Sequence, residues 1–182
     1  MKFGVHKIAK MGVLSALSLV LMVATRFPII PSASFLKYEA ADVPLLIGSF
    51  MFGPVAGLLM TIVVAGIQAL TLDADGGWVG FVMHVIATGT LIMTAGFIYR
   101  RFHTLKGAII ALITGSLCMT MVMIPANLFF TVKFYGVPYD AVKAMILPAL
   151  LPFNLIKSFA NSIIVMLVYK SLSRIFKRFG ED

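Results

Sequence analysis

The chain has 182 residues, of which 60% are hydrophobic and only 12% are charged, and its formal net charge at pH 7 is +8. A soluble domain has about a quarter of its residues charged, and a fold of this length could not bury so much apolar surface, so lipid is the expected solvent. We predict one integral-membrane domain over residues 1–182, with no room for a separate soluble catalytic domain. The basic residues lie in short flanks of apolar runs, which argues against a nucleic-acid partner.

Six apolar segments predict an all-α membrane protein with six transmembrane helices. These helices cover residues 8–25, 42–52, 55–72, 78–99, 107–132 and 144–169. The first resembles a signal peptide, but no small-x-small cleavage site precedes Arg26, so we interpret it as a retained helix. The second is short, and its start, Asp42-Val43-Pro44, is typical of an N-cap followed by an early proline. Gly53-Pro54 predicts a tight turn before the third helix.

Charged residues divide the loops into two groups. Basic residues flank the first helix, follow the fourth and form the C-terminal tail: Lys2, Lys7, Lys10, Arg100, Arg101, Lys106, Lys170, Arg174, Lys177 and Arg178. Acidic residues occupy the other loops: Glu39, Asp42, Asp73, Asp75 and Asp140. Because cytoplasmic loops are enriched in Lys and Arg, both termini are predicted to be cytoplasmic and the acidic loops to face outward.

Five polar residues interrupt the apolar segments, and all of them lie nearer the acidic ends: Gln68, His84, Asn127, Asn154 and Lys157. This arrangement predicts one polar pocket that opens outward, as small-molecule capture from outside the cell requires. Hydrogen bonds between helices are an open alternative for Gln68, His84 and Asn127. His84 has no second ligand at metal-binding spacing, and the single cysteine, Cys118, is interpreted as a structural thiol, so no metal site is expected.

The sixth segment carries the most informative spacing. Asn154, Lys157, Ser158 and Asn161 recur at i, i+3, i+4 and i+7 and therefore share one helical face. Lys157 precedes Lys170 by about 20 Å of helix at roughly 1.5 Å per residue, so its ammonium cannot reach the cytoplasmic surface. A lysine at that depth requires water, a partner or a ligand, and either snorkelling to the outer interface or a ligand contact would satisfy it.

Two further segments each allow two interpretations. The run from Phe35 to Tyr38 is apolar for an external loop, and it fits either an interfacial aromatic anchor or a lid over the pocket. Gly12-x-x-x-Ala16 places two small residues on one face of the first helix, where another helix could approach closely. Such pairs are common in membrane helices, so this motif alone is weak.

Several catalytic motifs are absent from the sequence. It contains no G-x-x-x-x-G-K-[ST], HExxH or GxSxG motif, and no pair of carboxylates lies within a predicted helix. The chain is therefore expected neither to hydrolyse ATP itself nor to be an enzyme, and no catalytic residues are assigned.

The segment Phe35-Leu36-Lys37-Tyr38-Glu39-Ala40-Ala41-Asp42-Val43-Pro44-Leu45-Leu46-Ile47-Gly48, followed by Phe52-Gly53-Pro54-Val55-Ala56-Gly57, resembles the substrate-binding S components of energy-coupling factor (ECF) vitamin transporters, above all the riboflavin-specific ones. Pro152-Phe153-Asn154-Leu155-Ile156-Lys157 is similar to the last helix of that family. The third helix departs from it, because Ala65-Gly66-Ile67-Gln68 replaces an often Asn-rich stretch.

The resemblance implies a high-affinity binder of riboflavin, with FMN as a further candidate ligand and no catalytic cofactor. It implies as partners the lipid bilayer, a transmembrane T component and two ATPase subunits. By the same resemblance, Gly12 and Ala16 would dock on the T component. The candidate ligand-binding residues are Leu36, Lys37, Tyr38, Gln68, His84, Asn127, Asn154 and Lys157.

Three classes of function are compatible with this sequence. The first is a vitamin-binding transporter subunit, for riboflavin or for another vitamin. The second is a small integral-membrane enzyme, which the absence of clustered acids, histidines or a nucleophile–base pair disfavours. The third is a structural or assembly subunit in which the polar residues only join helices. Bound yellow flavin in the purified protein would separate the first class from the other two.

Overall fold

The computed structural model of the chain describes residues 4–72 and 76–179, and it describes side chains there except at positions 32 and 169–179. Lys2, Asp73, Asp75 and the side chains of the basic tail lie outside these limits. The elements are α1 (Val5–Thr25), β1 (Phe27–Pro28), a 3-10 turn (Pro31–Ala33), β2 (Lys37–Tyr38), α2 (Asp42–Phe52), α3 (Pro54–Thr71), α4 (Gly77–Arg101), α5 (Leu105–Tyr135), α6 (Tyr139–Met145), a π-helical turn (Ile146–Leu150) and α7 (Leu151–Phe179).

The all-α, six-helix prediction is confirmed, with α6, the π-helical turn and α7 forming the sixth segment. Five helical segments are long and apolar enough to cross a membrane, and the 11-residue α2 is the exception. At about 1.5 Å per residue α2 covers roughly half of a 30 Å hydrocarbon layer. The sixth segment begins at Tyr139, earlier than predicted, and α5 extends to Tyr135.

Helix α2 is short because the chain before it enters the bundle without forming a helix. After α1, strands β1 and β2 pair antiparallel, with Phe27 opposite Tyr38. Residues 39–41 then lie buried between helices. Non-helical backbone at membrane depth is tolerated only where protein groups satisfy it. Here the Ala40 amide donates to Thr25 Oγ1 at 2.8 Å, and Ser18 Oγ donates to the Ala41 carbonyl at 2.6 Å.

The predicted N-cap at Asp42 is wrong. Asp42 is the first residue of α2, the cap position is Ala41, and no side chain caps this end of the helix. Its fully buried carboxylate instead accepts hydrogen bonds from two other helices. Pro44 is accommodated because the first turn of a helix has no intrahelical partner for its amides.

The predicted turn between α2 and α3 is confirmed at Gly53, whose φ of 94° favours glycine. This turn brings α3 close to α2 and α4. A Cβ atom on Gly57 would lie 2.6 Å from Ile92 Cγ2 and 2.7 Å from Ser49 Cβ. Gly57 therefore sets the distance at which these three helices pack.

Helix α1 lies at the edge of the bundle. Only Ser18 and Met22 of its residues are buried, whereas Gly12, Val13, Ala16, Leu17 and Val20 are exposed. No atom lies within 4 Å of a Cβ placed on Gly12. The small-residue pair identified in the sequence therefore lies on a face that no other part of the described chain covers.

We predict that Gly57→Ala destabilises the protein relative to Gly66→Ala. Both substitutions add one methyl group within α3 and gain similar helix propensity, but a Cβ on Gly66 has its nearest neighbour at 3.9 Å. Overpacking at Gly57 should cost about 1–3 kcal/mol. Thermal unfolding in detergent measures both variants, and equal midpoints would contradict the tight approach at Gly57.

Candidate ligand-binding site

A cavity of about 600 Å³ lies at the end of the bundle opposite Lys7 and Arg100. Its volume falls within the range of roughly 300–1,000 Å³ that is typical of small-molecule sites. The loop between α1 and α2, helices α3, α4, α5 and α7, and the turn after α5 all contribute to its wall. The lining residues include Arg26, Phe35, Leu36, Lys37, Glu39, Gln68, Phe81, Met83, His84, Met119, Met123, Asn127, Thr131, Tyr135, Phe153, Asn154 and Lys157.

The carboxylate of Glu39 joins three helices to the loop. Lys157 Nζ of α7 donates to Glu39 Oε1 at 3.2 Å, and His84 Nδ1 of α4 lies 3.6 Å from the same oxygen. Gln68 Nε2 of α3 donates to Glu39 Oε2 at 3.5 Å. A buried charge requires a partner and hydrogen bonds, and this cluster provides them at the wall of the cavity.

The contacts of Lys157 decide between the two environments that its depth in the membrane allowed. The side chain is buried and ion-paired with Glu39, so it does not snorkel to the outer interface. The acidic loops are predicted to lie on the outer side, and within this part of the chain the carboxylates of Glu39 and Asp42 are buried in the bundle. The physical reason is that each carboxylate has polar partners on neighbouring helices.

Asn161 of α7 supports the loop from below the cavity. Its Nδ2 donates to the Glu39 carbonyl at 3.1 Å and to Asp42 Oδ2 at 3.0 Å, and its Oδ1 accepts from the Tyr38 hydroxyl at 2.9 Å. Thr88 Oγ1 donates to Asp42 Oδ1 at 2.9 Å. The start of α2 also favours a negative charge at Asp42. These bonds fix the loop where it enters the bundle.

The two asparagines of the site are oriented by their own helices. Asn127 Nδ2 donates to the Met123 carbonyl and Asn154 Nδ2 to the Leu150 carbonyl, each at 2.7 Å. Leu150 ends the π-helical turn, in which Pro148 lacks an amide donor, as does Pro152 just beyond it. Among the described residues none donates to Asn154 Oδ1, so this acceptor remains available at the cavity wall.

Seven of the eight candidate ligand-binding residues line this one cavity: Leu36, Lys37, Gln68, His84, Asn127, Asn154 and Lys157. Tyr38 does not, because its side chain packs against Phe27 and donates to Asn161, so its geometry favours a supporting role. The predicted shared face of Asn154, Lys157, Ser158 and Asn161 is confirmed, since all four are buried.

Sequence reasoning missed Glu39 and, apart from Leu36, the apolar residues of the wall. Met119 and Met123 precede Asn127 at i−8 and i−4, so helical spacing from that asparagine could have found them. Glu39 gave no such signal, because its partners lie on three distant segments. Among residues 4–72 and 76–179 there is no group of three His, Cys, Asp or Glu side chains arranged to hold a metal ion.

The fold and the site define a class of protein: a multi-pass membrane protein with a partly polar cavity of a size that suits a small molecule. The sequence model of the family described as "ECF transporter, substrate-specific component" matches residues 6–169. The chain belongs to this family. Its members are transporter components, so the predictions of a multi-pass cell-membrane protein that is not an enzyme are confirmed.

The chain is similar in sequence to two riboflavin transporters and in structure to one S component. The chain is 31% identical to the riboflavin transporter RibU of Staphylococcus aureus (strain TCH60), over 94% of this chain and 93% of that one. It is 27% identical to the riboflavin transporter FmnP of Bacillus subtilis (strain 168), over 92% of each. A solved structure of the S component of a bacterial ECF transporter superimposes with a TM-score of 0.82 at 31% identity, covering 94% of this chain and 98% of that one.

We predict that Lys157→Met destabilises the protein by about 3–5 kcal/mol, because it leaves the Glu39 carboxylate buried without its cation. The double variant Glu39→Gln/Lys157→Met should recover part of this loss, since no unpaired charge remains. Lys143→Met is the control, because Lys143 is an exposed lysine of α6 and its loss should change stability by less than about 0.5 kcal/mol. Unfolding of the variants in detergent measures the coupling free energy between Glu39 and Lys157. If the losses of stability from the two single substitutions simply add in the double variant, the direct ion pair is contradicted.

Proposed function

We propose that the chain is the riboflavin-binding subunit of an ECF transporter and that it captures the vitamin in the cavity beside Glu39. The observation that carries this proposal is the cavity itself, which joins an apolar wall to amide and ammonium groups on one helical face. The names of the relatives, riboflavin transporters over nearly their full length, support the same ligand. A structural or assembly role would not require a cavity of this size.

The chemistry of a flavin fits the residues that line the cavity. Its ring is flat and largely apolar, and side chains such as Phe81, Met119 and Met123 would cover the ring faces. The imide edge of the ring offers a donor and an acceptor together. Asn154 Oδ1 can accept from the imide N–H, and an ammonium has three donors, so Lys157 can bond a ligand oxygen while paired with Glu39.

FMN is a second candidate ligand, and the cations at the loop favour it. Arg26 and Lys37 both line the cavity, and a phosphate group would meet positive charge there. Neither flavin would serve as a catalytic cofactor in this role, because each is the molecule to be transported. Displacement of bound riboflavin by FMN would show that FMN occupies the same site, and the two dissociation constants would show which flavin binds more tightly.

Transport also requires a source of energy that this chain does not contain. We propose that a T component and two ATPase subunits provide it, as the family implies. The exposed pair Gly12 and Ala16 on α1 is the proposed contact with the T component. Small residues allow two helix backbones to approach closely, and this face is otherwise uncovered within the described chain.

We predict that Asn154→Ala and Lys157→Gln each weaken riboflavin binding by about 1 kcal/mol or more, because the first removes the acceptor for the imide N–H and the second replaces the ammonium with a shorter, neutral donor and breaks its pair with Glu39. Ser158→Ala is the matched control. Ser158 lies on the same face of α7 and is buried, but its hydroxyl bonds the helix backbone and it does not line the cavity. Equilibrium quenching of flavin fluorescence measures the three variants. Unchanged affinity in folded Asn154→Ala and Lys157→Gln would rule this site out. Saturable binding of a different vitamin, without binding of riboflavin, would show that riboflavin is not the ligand.

We predict that Gly12→Leu combined with Ala16→Leu prevents assembly with the T component but leaves riboflavin binding intact. The bulky side chains would keep the partner helix away, whereas the cavity lies on other elements. The measurements are co-purification with the coupling subunits, cellular uptake and flavin binding by the isolated chain. Normal co-purification and uptake would refute the docking role. Loss of flavin binding in a folded variant would show that the flavin site includes this face of α1.

A further inference from the structure

A second cavity, of about 420 Å³, lies at the opposite end of the bundle from the proposed flavin site. The beginning of α1, the turn between α2 and α3, and the last turns of α4 form it. The lining residues are Lys7, Ser49, Phe50, Met51, Phe52, Gly53, Pro54, Val55, Ala56, Gly96, Tyr99, Arg100 and His103. The charge pattern of the sequence predicts that this end faces the cytoplasm.

The wall of this cavity combines cationic and apolar groups. Lys7, Arg100 and His103 contribute nitrogen donors, and none of the described residues that line the cavity is acidic. Lys7 Nζ donates to the Phe52 carbonyl at 3.1 Å, which holds the ammonium beside the turn between α2 and α3. Tyr99 stacks on Phe50 at 4.2 Å between ring centroids.

We propose that this cavity binds the phosphate headgroup of an anionic phospholipid from the cytoplasmic leaflet. Basic pockets between transmembrane helices on the cytoplasmic side suit such headgroups, because the leaflet is negatively charged and the cations lie at headgroup depth. Two large apolar side chains close to Arg100 in the sequence are exposed: Phe97, three residues before it, is 54% exposed, and Phe102, two residues after it, is 57% exposed. A soluble phosphate or an acidic protein side chain would use the cations alone, whereas a lipid would also use this apolar surface.

The bound lipid would connect the beginning of α1 with the last turns of α4, beside the turn between α2 and α3. Its phosphate would contact α1 through Lys7 and α4 through Arg100, while its acyl chains would cover apolar surface near Phe97. It would thereby fix the cytoplasmic end of the bundle to the anionic leaflet. This role is independent of flavin binding, because the two cavities share no lining residue.

The test uses tryptophan quenching by brominated lipids in nanodiscs. The chain has a single tryptophan, Trp78, which lies in the first turn of α4, at the end remote from this cavity. A Phe52→Trp reporter in a Trp78→Phe background places the only indole in the cavity wall. Nanodiscs of phosphatidylcholine then contain a minor fraction of either brominated phosphatidylglycerol or brominated phosphatidylcholine. The unmodified chain, with Trp78 alone, reports contact with bulk lipid.

We expect brominated phosphatidylglycerol to quench the Phe52→Trp reporter more strongly than brominated phosphatidylcholine does, with no such preference at Trp78. Lys7→Gln combined with Arg100→Gln should lower the preference roughly fivefold for each cation removed, which corresponds to about 1 kcal/mol per charge. Lys10→Gln combined with Arg101→Gln is the matched control. It removes the same charge from the same end, but neither residue lines the cavity, so the preference should persist.

Several outcomes would overturn the proposal. Equal quenching by the two lipids at Phe52→Trp would show no site, and equal losses in the two double variants would show only general surface electrostatics. Displacement by inorganic phosphate at matched ionic strength would assign the cavity to a soluble anion. Exclusion of the lipid by the assembled T component would assign it to a protein contact. Thermal unfolding midpoints verify that each variant is folded, and Arg100→Gln alone replaces the double variant if that one is unstable.

Discussion

The structure depends on bringing charged and non-helical chain into the interior of a membrane bundle. Glu39 and Lys157 neutralise each other at 3.2 Å, with His84 and Gln68 completing the environment of the carboxylate. Either ion alone would cost several kcal/mol at this depth. Because Glu39 is held there, the loop between α1 and α2 lies within the helices, and α2 begins only after it.

The position of the loop in turn creates the cavity. Loop residues such as Leu36 and Lys37 line the same cavity as Asn127 of α5 and Asn154 of α7. Asn161 bonds the loop at Tyr38, Glu39 and Asp42, so the wall that faces the ligand and the support beneath it belong to one hydrogen-bonded network. A ligand that bonds Lys157 would therefore act directly on the group that holds the loop. In the proposed transporter this coupling joins binding to the conformation of the loop.

The sequence allowed the helices, the turn at Gly53 and several of the polar residues that line the cavity to be predicted. Long apolar segments have few alternatives in lipid, and helical spacing places Asn154, Lys157 and Asn161 on one face. The burial of Glu39 could not be predicted, because a count of loop charges indicates only the side of the membrane on which a loop lies, and its partner Lys157 lies 118 residues away. The same limit explains Asp42, whose local sequence resembles an N-cap but whose partners lie on α4 and α7. Local patterns predict elements, whereas these pairs depend on how the elements pack.

The most direct test of this account is an experimental structure of the chain with riboflavin bound. We predict that the flavin ring lies in the cavity beside Glu39, with its imide edge within hydrogen-bonding distance of Asn154 and Lys157 and its faces against Met119 or Met123. A flavin located in the cavity at Arg100, or on the lipid-facing surface, would contradict the account. A flavin in the cavity beside Glu39 that makes no contact with α7 would also contradict it.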